Sequence, residues 1–215
     1  MTRAAVVNGL YAITDTKHIP AGQLTNCVTR AIAGGASVIQ YRNKQATDNA
    51  RQHEAATLTA LCHQHNIPLI INDDAELAAA VGASGVHLGK SDVSIQQARA
   101  QLGPQAIIGV SCYNDIERAI AAVAAGADYV AFGRFFPSHS KPDAQQADTR
   151  VLSQARQQLD RPIVAIGGIT PDNGQALLAA GANLLAVIHG VFGQPDIQVA
   201  ARRYTDLFNI SVENR

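Results

Sequence analysis

The chain of 215 residues has no charge bias, because 17 Lys and Arg offset 17 Asp and Glu. A balanced chain has no bulk field to draw nucleic acid or an anionic membrane surface, so neither is expected as a partner and any phosphate binding must be local. Cysteine is scarce. Cys27, Cys62 and Cys112 are odd in number and widely spaced, without the paired spacing of a metal site. That pattern fits reduced thiols, and the cytoplasm is the expected location. No apolar run approaches the ~18 residues of a membrane span, and the stretch MTRAAVVNGLYAIT has no secretory h-region followed by a small-residue cleavage site. A soluble protein is expected, with one domain over residues 1–215 and a flexible tail at 209–215.

What the chain does have is alternation. Short β-branched runs (GLYAIT, SVIQYR, PLIIN, GVHLG, IIGVS, YVAFG, PIVAIG, LLAVIHG) alternate with Ala- and Leu-rich segments of helical length such as QLTNCVTRAIA and IERAIAAVAA. The strands are apolar nearly throughout, as strands covered on both faces must be. Four of them follow Gly-Ala pairs at Gly35, Gly82, Gly126 and Gly181, each glycine supplying a left-handed helix end. Eight βα units predict a closed TIM (β/α)8 barrel, although an open doubly wound sheet would also space its units regularly.

In a barrel, chemistry gathers at the carboxyl ends of the strands. Here those ends read QYRNK, NDD, GKSD, SCYN, GRFFPSHSKPD, GGIT and IHG. Each has a bland reading. Asp73 or Asp74 could cap the helix near Ala75, and Asp92 the helix near Ser94. Together, however, Asp73 and Asp92 on adjacent strands would form a carboxylate pair suited to Mg²⁺, which takes one or two protein carboxylates plus substrate phosphates. Arg42 and Lys44 could be surface charges, yet they alternate with Gln40, and residues two apart on extended chain face the same way. A guanidinium fork and an ammonium would suit a diphosphate. The loop PSHSKPDAQQAD is either a surface excursion or a lid bringing Ser138, Ser140 and Lys141 onto a phosphate. Gly167 and Gly168 form either a plain tight turn or, with the end of strand eight, a backbone phosphate site. Cys112 reads as a small buried residue, His87 as a hydrogen-bonded strand histidine, and His63 and His65 as helix-end residues.

Taken in register, GLYAITD, QYRNK, INDD, HLGKSD, GVS, FFPSHSK, AIGGIT and AVIHG resemble the thiamine phosphate synthase family from about Gly9 to Phe208. The resemblance implies a TIM-barrel transferase. It would join 4-amino-2-methyl-5-hydroxymethylpyrimidine diphosphate to 4-methyl-5-(2-hydroxyethyl)thiazole phosphate, or its carboxylated form, by dissociative loss of diphosphate from the pyrimidine methylene. It also implies a diphosphate cradle of Arg42, Lys44, Asn72, Ser111 and Lys141, with Arg42, Ser111 and Lys141 serving catalysis, and Gln40 near the pyrimidine. Asp73 and Asp92 would bind Mg²⁺, and Ser138 and Ser140 would be the lid hydroxyls. Gly168 with the backbone of Ile188 and His189 would hold the thiazole phosphate. Two residues depart from the family pattern: Lys90 stands where glutamine is common and His189 where serine is common. The partners implied are these small molecules, and a homo-oligomer is compatible with the reading. A thiazole tautomerase using His189, a sugar phosphate epimerase and a non-catalytic binding protein are the rival readings. The first would not need the whole cradle, the second needs metal-binding histidines inside the barrel, and the third should have lost members of the set.

Overall fold

A computed structural model describes residues 7–137 and 146–210, with the Ile210 side chain excluded. Its elements follow the βα rhythm of the sequence: β1 (Gly9–Ile13), α1 (Leu24–Ala33), β2 (Ala36–Tyr41), α2 (Asp48–Gln64), β3 (Leu69–Asn72), α3 (Ala75–Ala80), β4 (Gly85–Leu88), α4 (Ile95–Leu102), β5 (Ile107–Tyr113), α5 (Ile116–Ala124), β6 (Tyr129–Phe132), α6 (Arg150–Gln158), β7 (Ile163–Ile166), α7 (Pro171–Ala179), β8 (Leu184–Val187), α8 (His189–Phe192) and α9 (Ile197–Ile210). All eight strands are parallel and close into a barrel, β1 pairing with both β2 and β8. The closed barrel is thus the observed answer to the choice the sequence left between barrel and open sheet.

The strands are apolar on both faces because each face meets a different core. Tyr11, Ile13, Val38, Ile70, Ile107, Tyr129, Ala131, Val164, Leu184 and Ala186 fill the barrel interior. Their neighbours, such as Leu10, Ala12, Val130 and Phe132, join the larger layer between sheet and helices. This is the period of two expected of strands, hidden in the sequence because both sides exclude water.

Helix ends follow local chemistry. Gly35, Gly82, Gly126 and Gly181 all have positive φ and each stands just past its helix. Ser94 and Gln97 form a reciprocal capping box that starts α4. The short α8 has too few residues to show a period in sequence. Helix α9 continues through Ile210, so Asn209 and Ile210, expected in the tail, are helical; residues 211–215 lie outside the described set. It packs on α1, where a Cβ on Gly34 would sit 2.5 Å from the Ala201 Cβ.

Candidate active site

Eight parallel strands with their carboxyl ends on one rim leave a cavity of about 930 Å³ there. Gln40, Arg42, Lys44, Asn72, Asp73, Asp92, Ser111, Gly168, Ile188 and His189 all line it. Ser138, Ser140 and Lys141 lie outside the described residues. Lys90 also lines the cavity, with its side chain exposed.

The two acids after Asn72 divide the roles that the sequence left open. Asp74 is the cap: its Oδ1 accepts from the Leu77 amide at 2.8 Å and its Oδ2 from Arg51 at 2.7 Å. Asp73 has φ of 65°, a left-handed turn that a short polar residue tolerates. The turn leaves its side chain on the cavity, where Oδ2 meets Lys44 Nζ at 2.9 Å. Asp92 is not a helix cap, since Ser94 holds that place. Its Oδ2 accepts from the Gly89 amide at 2.6 Å, which ties the carboxylate to the end of β4.

Asp73 and Asp92 lie within hydrogen-bonding reach of one another. Burial pushes the Asp73 carboxyl up, but the Lys44 ammonium, Asp92 and Asn72 outweigh it and leave the pKa below the ordinary value. Burial raises Asp92 and the Asp73 charge adds to it, so that despite the Gly89 amide its pKa stands above the ordinary value. One ammonium, paired with Asp73, does not balance two carboxylates once both are ionised. Among the described residues no three His, Cys, Asp or Glu side chains converge as a metal cage. A hard-oxygen pair of this kind suits Mg²⁺, whose remaining ligands are water and phosphate oxygens.

Arg42 is aimed by residues the sequence did not single out. Its Nη1 donates to Asp15 Oδ2 at 3.0 Å, and its amide donates to Thr14 Oγ1 at 2.9 Å. Asp15 is only 6% exposed, so this pair is held just under the rim. Arg118 performs a similar service on the far side. Its Nε donates to the Ser111 carbonyl at 2.8 Å and its Nη2 to the Gly89 carbonyl at 3.3 Å, while its guanidinium lies 5.8 Å from the Tyr113 ring centre. One residue thereby links the ends of β4 and β5.

Deeper in the barrel a chain of side-chain hydrogen bonds crosses the interior. Gln40 Nε2 donates to Tyr11 Oη at 2.8 Å, the Tyr11 and Tyr129 hydroxyls are 2.8 Å apart, and Tyr129 Oη lies 2.9 Å from His87 Nδ1. His87 Nε2 in turn lies 2.8 Å from Ser111 Oγ. His87 is therefore the hydrogen-bonded strand histidine expected. The tyrosines were unremarked in sequence because they sit in strands that read as uniformly apolar. Cys112 is fully buried, and burial pushes its thiol up to about 12, which suits a packing residue and not a nucleophile.

Opposite this chain, the turn after β7 has positive φ at Gly167 and Gly168. A Cβ on Gly168 would sit 2.3 Å from the Pro137 carbonyl oxygen and one on Gly167 2.2 Å from the Arg134 Cβ. Packing against the β6–α6 connection thus requires both glycines, whatever else they serve. Gly168 and Ile188 face the cavity beside the start of α8, and the ring of His189 meets that of His18 edge-on at 4.9 Å between centres.

A family model described as thiamine monophosphate synthase matches residues 10–191. The thiamine-phosphate synthase of Nitrosococcus oceani is 55% identical over 202 residues, covering 94% of this chain and 93% of that one. Its counterpart in Alcanivorax borkumensis is 50% identical over 205 residues, covering 94% of each. The chain belongs to the thiamine monophosphate synthase family. The thiamine phosphate pyrophosphorylase from Pyrococcus furiosus superposes on it with a TM-score of 0.85 at 34% identity, covering 94% of this chain and 96% of that chain. Barrels at 16% identity, such as one titled native KDPGal structure with a TM-score of 0.73, share the fold alone. Like its named relatives, this thiamine monophosphate synthase family member is an enzyme, a transferase. Among the described residues, no helix is long and apolar enough to cross a membrane.

Proposed function

We propose that the enzyme couples 4-amino-2-methyl-5-hydroxymethylpyrimidine diphosphate to 4-methyl-5-(2-hydroxyethyl)thiazole phosphate, or its carboxylated form, with Mg²⁺ held by Asp73 and Asp92. The observation that carries the reading is the juxtaposition, on one cavity, of this carboxylate pair with Lys44, Arg42 and Ser111. Two acids and two cations at the mouth of one pocket suit an anion that arrives with a divalent cation.

In this reading the bond from the pyrimidine methylene to the diphosphate oxygen breaks with its electron pair leaving on diphosphate. The thiazole nitrogen lone pair then forms the carbon–nitrogen bond, and the positive charge passes to the thiazolium ring. No protein nucleophile or net proton transfer is needed. Mg²⁺, when bound, neutralises charge on the diphosphate oxygens. Arg42, pinned by Asp15, and Lys44, pinned by Asp73, donate to the same oxygens, as Asn72 does from the end of β3. Donors fixed in advance stabilise the departing charge without reorganising, and each is worth about 3 kcal/mol in favourable cases. Ser138, Ser140 and Lys141, on the β6–α6 connection, would complete the donors. Gly168 and the amides beside Ile188 and His189 would hold the thiazole phosphate, and Gln40 would face the pyrimidine. Three free, buried cysteines are in keeping with a cytoplasmic setting for this chemistry.

The test is to mix purified enzyme with both substrates, with and without Mg²⁺, and follow thiamine phosphate by mass spectrometry alongside released diphosphate. One diphosphate per thiamine phosphate, formed only with a divalent cation, is the expected result. Coupling that persists in chelator would overturn the metal assignment. Turnover of the thiazole phosphate alone would replace the substrate assignment with a tautomerase.

A further inference from the structure

We infer that Gln40, Tyr11, Tyr129 and His87 form a one-way hydrogen-bond relay whose task is to fix Ser111 as a donor into the cavity. The inference rests on the reading of the cavity as a phosphate site and adds positioning residues to it.

The direction follows from the orientation of the Gln40 amide, which places Nε2 on Tyr11. The Gln40 Nε2 amide has only protons to give, so Tyr11 Oη accepts from it at 2.8 Å. Tyr11 is 1% exposed, and its own proton has Tyr129 Oη at 2.8 Å to go to. Tyr129, fully buried, then gives its proton to His87 Nδ1 at 2.9 Å. With Nδ1 accepting, a neutral imidazole carries its proton on Nε2 and donates to Ser111 Oγ at 2.8 Å. The serine proton is left to turn toward the cavity that Ser111 lines. In this polarity both tyrosine protons and the His87 Nε2 proton have acceptors, as buried polar groups require.

Two further features commit the fold to this arrangement. Burial holds both phenols well above their ordinary pKa, so each keeps the one proton the relay needs. Gly109 makes room for the central hydroxyl: a Cβ there would lie 1.9 Å from Tyr129 Cζ and 2.3 Å from its Oη. The rings are also registered, Tyr129 stacking on His87 with 5.6 Å between centres and meeting Tyr11 edge-on at 5.9 Å. Arg118 completes the placement by gripping the Ser111 carbonyl.

With His87 neutral, one alternative satisfies the same distances. If the Gln40 amide were turned over, its oxygen would accept from Tyr11 and every proton would run the other way. His87 would carry its proton on Nδ1, and Ser111 would spend its own on Nε2. The serine would then present lone pairs to the cavity and repel a phosphate oxygen. The two polarities therefore differ at a single observable atom, the protonated nitrogen of His87.

Nitrogen-15 correlation spectra of the ligand-free wild-type enzyme, with the His87 signals identified by their loss in His87→Gln, read that atom directly. The expected result is an unprotonated Nδ1 and a protonated Nε2. Tyr129→Phe, which keeps the ring, should mix the tautomers, whereas Tyr11→Phe should preserve the wild-type form because Tyr129 can still donate. In steady state Tyr129→Phe should lower kcat by roughly tenfold with KM for both substrates within about twofold, less than the ~10² to 10³ lost when a donor is removed outright. A protonated Nδ1 in the wild type overturns the relay, as does a Tyr129→Phe enzyme with unchanged tautomer and kcat. If that variant fails to fold, the wild-type spectrum alone decides. The spectra need no substrate, so an absence of coupling in the wild type would be read separately, as failure of the synthase reading.

Discussion

Asp73 and Asp74 are neighbours with opposite tasks, and their separation follows from one backbone angle. With Asp73 at φ of 65°, its carboxylate meets Lys44, whereas Asp74 stands in extended conformation and caps α3. Asp74→Ala should lower stability to urea by about 1 kcal/mol or more through the lost cap and the lost, partly buried pair with Arg51, while kcat stays near wild type. Asp73→Asn, which suits a left-handed position, should hold stability within about 0.5 kcal/mol and cut turnover by roughly 10² or more. The reverse pattern would exchange the two assignments. The strand end NDD made both roles visible in sequence but not their allocation, because either acid lies close enough to cap. Asp15 and the two barrel tyrosines were not visible at all. Their partners are set by barrel closure, with Tyr11 and Tyr129 separated by 118 positions in the chain.

At the level of elements, what was legible was whatever a local rule dictates. The Gly-Ala pairs marked helix ends because a left-handed residue commonly follows the last turn, and all four glycines have the expected positive φ. Strand cores were legible as apolar runs, while their limits were not: β1 and β2 ended one residue early as the chain left the ladder at Thr14 and Arg42, β8 ended at Val187, and β5 ran on by two residues to Tyr113. Helix α8 gave no signal, since four residues cannot show a period. The double glycine after β7 shows what sequence omits: the same left-handed backbone occurs in unlike surroundings. Gly82, at φ of 64°, has nothing within 4 Å of an added Cβ, whereas Gly168, at φ of 63°, would place one 2.3 Å from the Pro137 oxygen. Gly82→Ala should therefore cost about 1 kcal/mol, the backbone penalty alone. Gly168→Ala should cost roughly 2–3 kcal/mol, because the β6–α6 connection must move as well. Equal losses in urea denaturation would show that the connection yields freely.

The whole molecule is neutral, yet closure of the barrel concentrates charge at one rim, which a net count cannot reveal. Counting eight βα units was enough to anticipate that rim, and the rest required the third dimension to bring β3 beside β4 and so Asp73 beside Asp92. Linkage at this pair extends to the stability of the entire fold. Asp92, with its pKa raised by burial and by Asp73, contributes stability that is fully present below its unfolded pKa and lost as pH rises through the folded value. Asp73, lowered on balance by Lys44, contributes stability above the ordinary carboxylate range that is lost as pH falls through its folded value. A divalent cation needs both groups ionised, so it competes with protonation of Asp92 as pH falls. Mg²⁺ with diphosphate at a hundredfold over Kd should add about 2.7 kcal/mol, which for a chain of this size raises Tm by roughly 5–10 °C. The rise, followed by scanning calorimetry, should be largest near pH 8 and should shrink as pH falls toward Asp92's folded pKa. The ligand-free enzyme should move the other way in that window as Asp92 takes up its proton. A shift in Tm that kept its size at low pH, or appeared in full with diphosphate and chelator, would take Asp92 out of the metal's coordination.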